Sequence, residues 1–175
     1  MHRALALIAI LALAAQPALA QGKTKTAPAD EAIGVLETCE AFATGDVLAL
    51  DDAVAAGWDA YDNEGESPYV RSYDATIDLH GLGWVEMFAL VETYPDRVLG
   101  YCRIDAAETR GNAQGVIEAI AALDRYDGEV QEADTGTYAS LTGTGSTETM
   151  LLTHWDDIGF VVQLTIISPR AQSGE

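Results

Sequence analysis

The sequence predicts an α+β fold, in which a helical hairpin and a further helix pack on an antiparallel sheet of about six strands, arranged as two three-strand meanders. Three observations support this prediction. Apolar residues recur at helical spacing between residues 30 and 58 and again after residue 105. From residue 69 they alternate with polar ones, as in strands that bury one face. Short turns containing glycine, proline or aspartate separate the strand-like segments.

The predicted helical hairpin opens the fold. Its first helix begins near Asp30, a suitable N-terminal cap, and ends at Gly45, while its second runs from Asp46 to Gly57. The residues predicted to face the core are Ala32, Val35, Leu36, Cys39, Phe42 and Ala43 in the first helix, and Val47, Leu50, Val54 and Trp58 in the second.

An acidic, turn-rich loop is predicted at residues 59–68. It does not fit an EF-hand, because placing Gly65 at the sixth position puts Ala60 and Arg71 where the ion needs carboxylates. A looser calcium site remains open as the alternative to a solvated loop, and its candidate ligands are Asp62, Glu64 and Glu66.

The first meander is predicted to contain strands at residues 73–79, 84–93 and 97–104, joined by short turns. The second of these strands, WVEMFALVET, is apolar on both alternating faces. Such a run is typical of an interior strand that is covered on both sides. The sequence therefore predicts that residues 84–93 are buried on much of both faces.

The second half of the chain is predicted to contain a helix and the second meander. The helix starts at Asp105 or Thr109 and ends at residues 126–128, and the acidic segment 129–134 leads back to the sheet. Three strands follow, at residues 137–141, 147–155 and 160–167.

The N-terminus predicts a signal peptide at residues 1–20. Met1 to Arg3 form a short basic segment, residues 4–15 are continuously apolar, and Ala18 and Ala20 provide a small-residue cleavage site. The apolar run is shorter than the roughly 20 residues needed to span a bilayer. We therefore expect an exported chain, periplasmic or secreted, with no membrane association after the signal is removed.

Removal of residues 1–20 from the 175-residue chain leaves 155 residues, which is the size of one domain. Residues 21–29 are polar and are predicted to be a disordered lead-in. The sequence then predicts a single α+β domain at residues 30–168 and a polar tail at residues 169–175.

The chain is strongly acidic. It has 28 aspartates and glutamates against 9 lysines and arginines, and loss of Arg3 with the signal peptide takes the formal charge from −19 to −20. This charge argues against nucleic acid and anionic lipid as partners, because both require basic contacts. The partners it favours are a basic protein, a cationic ligand or a divalent metal, and solubility in a salty medium is the plainer explanation of the acidity.

Two cysteines in an exported chain favour one disulfide, since the compartment is oxidising. Cys39 falls on the inner stripe of the first helix, and Cys102 falls with Val98 and Ile104 on one face of a strand. No C-x-x-C motif is present. We therefore predict a buried bond between helix and sheet, with a redox or nucleophilic thiol as the alternative.

A small set of positions resembles small exported bacterial proteins of uncharacterised function. These positions are the helix cysteine Cys39, the pair Gly57-Trp58, the tryptophan strand starting at Trp84, and the strand GYCRI at residues 100–104. The resemblance covers roughly residues 35–123. It implies export and a disulfide between a helix and a strand, and it provides no site residue, because that group has no assigned activity.

Recognisable catalytic and cofactor motifs are absent from the sequence. There is no G-x-S-x-G, no H-E-x-x-H and no glycine-rich phosphate loop, so no cofactor is predicted. The candidate catalytic residues are His80 and His154, which lie near predicted strand ends, and Glu86, which lies in the most apolar strand. The simpler interpretation is that both histidines are ordinary strand-end residues and that Glu86 is exposed or paired with an arginine.

The sequence therefore supports two functional hypotheses. The preferred one is an exported, non-catalytic interaction or small-ligand-binding domain, which the signal peptide, the predicted disulfide and the missing motifs favour. The alternative is a periplasmic hydrolase that uses His80 or His154 with nearby carboxylates.

Overall fold

A single antiparallel sheet of eight strands forms the framework of the protein. The computed structural model describes residues 28–63, 65, 67–110 and 115–170, so the predicted signal peptide, most of the lead-in and most of the tail lie outside the described residues. The strands are β1 (Asp59–Asn63), β2 (Val70–Leu79), β3 (Gly83–Thr93), β4 (Arg97–Ala106), β5 (Tyr126–Ala133), β6 (Gly136–Gly143), β7 (Glu148–Asp156) and β8 (Phe160–Pro169).

The strand order is β1-β2-β3-β4-β8-β7-β6-β5, so two four-strand meanders meet where β4 pairs with β8. The prediction of about six strands in two three-strand meanders is wrong. The two additional strands, β1 and β5, form the edges of the sheet. Their sequences are acidic, and for that reason the sequence predicts loops there. Edge strands carry charge on exposed positions, which removes the alternation that identifies a half-buried strand.

In the described part of the chain, three helices pack on one face of this sheet: α1 (Pro28–Thr44), α2 (Ala49–Ala55) and α3 (Val116–Ala121). The predicted core-facing stripe of α1 is buried, and the helix ends at Gly45, whose φ of 78° suits glycine alone. Among the described residues, no helix is long and apolar enough to cross a membrane.

The predicted helical hairpin is wrong in its second half. Helix α2 has only seven residues, and Val47 and Val54, which were predicted to face the core, are exposed. It contacts the core through Ala49, Ala53 and the partly buried Leu50, and Trp58, which was also predicted to face the core, is buried. Ala49 and Ala53 are four positions apart and small, so the buried side of α2 is narrower than the side predicted from the larger valines.

The predicted helix after residue 105 also differs from the structure. Strand β4 continues to Ala106, and α3 has only six residues, with Val116, Ile117 and Ile120 buried. Residues 111–114 lie outside the described residues.

The predicted disulfide between Cys39 and Cys102 is present. It joins α1 to β4 with a Cα to Cα distance of 5.6 Å, and both cysteines are fully buried. The two elements are so close that a Cβ atom on Gly100 would lie 1.6 Å from the backbone oxygen of Ala43. Gly100 therefore provides the space in which α1 rests on the sheet.

Two glutamates of α1 bind the sheet at either end of the helix. The Oε2 atom of Glu31 accepts hydrogen bonds from the backbone N–H groups of Gly81 and Leu82, at 2.7 and 3.0 Å. Near the C-terminus, Oε1 of Glu40 accepts from Nε of Arg125 at 2.8 Å and from the hydroxyl of Tyr126 at 2.5 Å. Burial, followed by the hydrogen bond to Glu40, raises the pKa of Tyr126. These contacts fix the orientation of α1 on the sheet.

Candidate functional site

The face of the sheet that points away from the helices carries the candidate site. We call it the open face, and it consists of the residues that project on the side opposite Cys102 and Ile104. The register aligns them in rows across the strands. One central row is Tyr61, Asp74, Phe88, Arg103, Gln163, Leu152, Ser140 and Glu129, and the next is Asn63, Ser72, Leu90, Tyr101, Thr165, Met150, Thr142 and Asp127.

Large apolar side chains lie in the middle of the open face and, in the case of Trp84, at one end of it. The exposed fraction is 49% for Trp84, 39% for Phe88, 50% for Met150 and 40% for Leu152. We call the central group the apolar band; its members are Phe88, Leu90, Leu99, Tyr101, Met150, Leu152 and Ile167. A solvated sheet face normally carries polar residues, and contiguous exposed apolar residues mark a contact surface.

Carboxylates surround this apolar band. Those on the open face of the described strands are Asp59, Asp74, Asp78, Glu86, Glu92, Asp105, Asp127, Glu129, Glu148 and Asp156. The arginines on the same face are Arg97 and Arg103, and both have acidic neighbours. Arg103 binds Asp105 through two contacts of 2.6 Å. The centre of the open face therefore combines the apolar band with Arg103, Gln163 and Thr165, which lie between its members, and carboxylates surround this centre.

A cavity of about 360 Å³ lies at one end of the open face, beside the first residues of β3. Its lining residues are Trp84, Glu86, Asp105, Ala107 and Glu108. The indole N–H of Trp84 donates to Oε1 of Glu86 at 3.2 Å. That bond uses the indole N–H, and Trp84 remains about half exposed where it lines the cavity.

His154 forms a small polar group with Tyr138 and Asp156 on β6 and β7. The rings of His154 and Tyr138 stack with 5.4 Å between their centroids, and Nε2 of His154 lies 3.6 Å from Oδ2 of Asp156. Oδ1 of Asp156 accepts hydrogen bonds from the backbone N–H groups of Ile158 and Gly159, at 2.9 and 3.2 Å. Burial acts to raise the pKa of Asp156, but these two bonds, His154 and Tyr138 together hold it below its ordinary value.

The candidate catalytic residues of the sequence are not brought together. His80 lies in the turn after β2 and is exposed, whereas His154 lies in β7, four strand spacings or about 19 Å away. Glu86 lies on the same row as His154, but three strand spacings, about 14 Å, separate them. Glu86 is exposed, so the desolvation expected from its apolar strand does not occur.

The possible calcium site of the sequence can be placed only in part. Asp62 lies in β1 and is exposed, whereas Glu64 and Glu66 are outside the described residues. Within the part of the chain that the structure describes, no three His, Cys, Asp or Glu side chains are grouped so that they could hold a metal ion.

Comparison with known protein families, with curated proteins and with solved structures finds no match.

Replacing Asp156 with asparagine tests the polar group around His154. The pKa of Asp156 is lowered by folding, so its charge stabilises the protein above the unfolded value of about 4, and this contribution is lost as the pH falls through the lower folded value. We expect Asp156→Asn to reduce the free energy of unfolding by about 1–2 kcal/mol at pH 7. The difference from wild type should shrink as the pH falls below about 4, as measured by urea unfolding at a series of pH values. A difference that is independent of pH would contradict the assignment.

Proposed function

We propose that the chain is an exported binding domain that engages a partner protein through the open face of its sheet. The observation that carries this proposal is the composition of β3. Its inward residues, such as Val85 and Met87, are buried under the helices, yet its outward residues include Trp84, Phe88 and Leu90. A strand that is apolar on both sides is typical of a sheet covered on both sides.

Among the described residues, helices cover only one of these two sides. A partner protein bound to the open face would cover the second side of the sheet and would bury the apolar band away from water. Burial of apolar surface contributes about 25 cal/mol per Å², so the band provides a driving force for association.

Export is part of the proposal. The apolar segment at residues 4–15 with its small-residue cleavage site supports it, as does the disulfide, because such bonds persist in oxidising compartments. The resemblance to small exported bacterial proteins also supports export.

Site-specific photo-crosslinking tests the proposal directly. A photoreactive phenylalanine analogue is placed at Phe88 on the open face, or at Val47, which is exposed on the helical side. In the native organism we expect a discrete crosslinked product from position 88 and none from position 47. Products of equal yield at both positions, or none at position 88, would overturn the proposal. Unchanged urea unfolding of both variants controls for misfolding.

The hydrolase hypothesis is the second candidate, and His154 with Asp156 is the observation that favours it. A histidine oriented by a carboxylate can act as a general base. Turnover of an ester, peptide or glycoside substrate that is lost in His154→Gln and retained in His80→Gln would replace the binding proposal by this one.

A further inference from the structure

We propose that the occupant of the open face is a basic, amphipathic segment of the partner protein, with apolar side chains on the apolar band and lysine or arginine side chains on the surrounding carboxylates. This inference rests on the proposed function and specifies its partner. Charge complementarity and the layout of the open face carry it.

The apolar band lies in the middle of the sheet, on β3, β4, β8 and β7. The four strands are separated by three spacings, about 14 Å, and each is long enough to contact an extended segment of several residues. A band of this width, with Arg103, Gln163 and Thr165 between its members, accommodates one segment that exposes apolar residues on one side. Its central contacts are Phe88, Tyr101 and Leu152.

Carboxylates border this band at positions where they would contact the cationic side chains of the bound segment. Glu129 and Asp127 lie on the β5 edge, Glu148 lies at the start of β7, and Glu86 and Glu92 lie on β3. Salt bridges formed at this surface would add specificity and accelerate association. A basic segment satisfies both the acidic border and the apolar centre.

The cavity beside Trp84 is suited to bind one lysine or arginine side chain of the partner segment. An ammonium or guanidinium group over an indole face is attracted by the ring quadrupole, and the cavity also presents Glu86 and Glu108. Asp105 is already bound by Arg103, so Glu86 and Glu108 provide the charge that the ligand would meet. We expect the segment to end in, or to pass over, this cavity with a lysine or arginine.

A second copy of the chain fits this surface poorly. Two open faces would bring their acidic borders together on molecules that each carry a formal charge near −20. Like charges in contact disfavour association. The acidity therefore selects a basic partner over self-association.

Binding of designed peptides tests this inference. Fluorescent nine-residue peptides of alternating lysine and leucine, glutamate and leucine, or lysine and serine are titrated with the chain lacking residues 1–20, and the dissociation constant is measured by anisotropy. We expect the lysine-leucine peptide to bind at least about tenfold more tightly than either of the others, because each of them lacks one of the two complementary features.

Matched variants locate the peptide on the protein. Glu86→Gln should weaken binding of the lysine-leucine peptide about fivefold, as expected for loss of one cation contact of about 1 kcal/mol. Asp51→Asn removes the same charge from exposed helix α2 and should leave binding unchanged. Equal effects of the two variants, or equal binding of the glutamate-leucine peptide, would overturn the inference.

Two further readouts separate the outcomes. Trp58 and Trp155 are buried, so among the three indole N–H resonances we expect only that of Trp84 to shift as the peptide is added. A dimer in sedimentation that Phe88→Ser dissociates would identify a second copy as the occupant and overturn the basic segment. A photo-crosslinked product at position 88 combined with a failed peptide test would reject this inference and leave the proposed function standing.

Discussion

Replacing Gly100 with alanine is expected to destabilise the protein by about 3 kcal/mol or more. The added Cβ would lie 1.6 Å from the backbone oxygen of Ala43 and 2.5 Å from its carbonyl carbon. A side chain in its place could rotate away, but a backbone carbonyl moves only with the helix. Helix α1 would therefore have to shift, while the disulfide and the contacts of Glu31 and Glu40 hold it to the sheet.

Gly34→Ala is the matched control for this prediction. Gly34 lies inside the same helix, is exposed, and has nothing within 4 Å of its would-be Cβ. Alanine there should stabilise the protein by about 0.5–1 kcal/mol, because glycine inside a helix costs that much conformational entropy. Urea unfolding monitored by circular dichroism measures both changes. Similar unfolding midpoints for the two variants would show that α1 does not approach β4 as closely as the structure indicates.

The part of the fold that could be predicted from the sequence is the part with clear periodicity. Helix α1, the strands β2, β3 and β4, and the strands β6, β7 and β8 each bury one regular stripe or face, and the apolar spacing revealed all of them. The disulfide followed from the same patterns, since each cysteine shares a face with buried neighbours.

The edge strands could not be predicted, because their stabilisation comes from backbone pairing with β2 and β6 and not from burial of their side chains. In β5 only Tyr126 is buried, so local pattern gives no sign of a strand. The short helices were not predicted correctly for a related reason. Helix α2 buries the small residues Ala49 and Ala53, whereas the larger Val47 and Val54, which the apolar spacing predicts to be buried, are exposed.

The sequence predicted the apolar strand that carries the candidate site, but it did not predict that one side of this strand is exposed. The run from Trp84 to Thr93 predicted a strand covered on both sides, and the described residues cover it on one. Sequence periodicity reports that a residue is suited to burial, and it does not say whether the chain itself or another molecule buries it. The histidines and Glu86 were weaker indicators, because only the register shows that His80, His154 and Glu86 lie on three different strands or turns.

Removing the disulfide, by replacing Cys39 and Cys102 together with alanine, is expected to lower the free energy of unfolding by about 4 kcal/mol. The bond closes a loop with a sequence separation of 63, and in the chain-entropy account its main effect is to restrict the unfolded chain. Alanine is the suitable replacement, because both sites are fully buried and a serine hydroxyl would need a partner.

Reduced wild-type protein is the control for this double variant, and the two should unfold at the same urea concentration, well below that of the oxidised protein. Because both sulfur atoms are buried, reductant should act only on unfolded molecules, so reduction should accelerate as urea is added. A loss below about 1 kcal/mol would contradict the structural role of the bond. Strand β4 carries Leu99, Tyr101 and Arg103 on the open face and Cys102 on the opposite side, so the cystine fixes to α1 the strand that supports the centre of that face. We therefore expect the double variant, below its unfolding transition, to bind the lysine-leucine peptide more weakly than Gly34→Ala does, which separates support of the binding surface from stability alone.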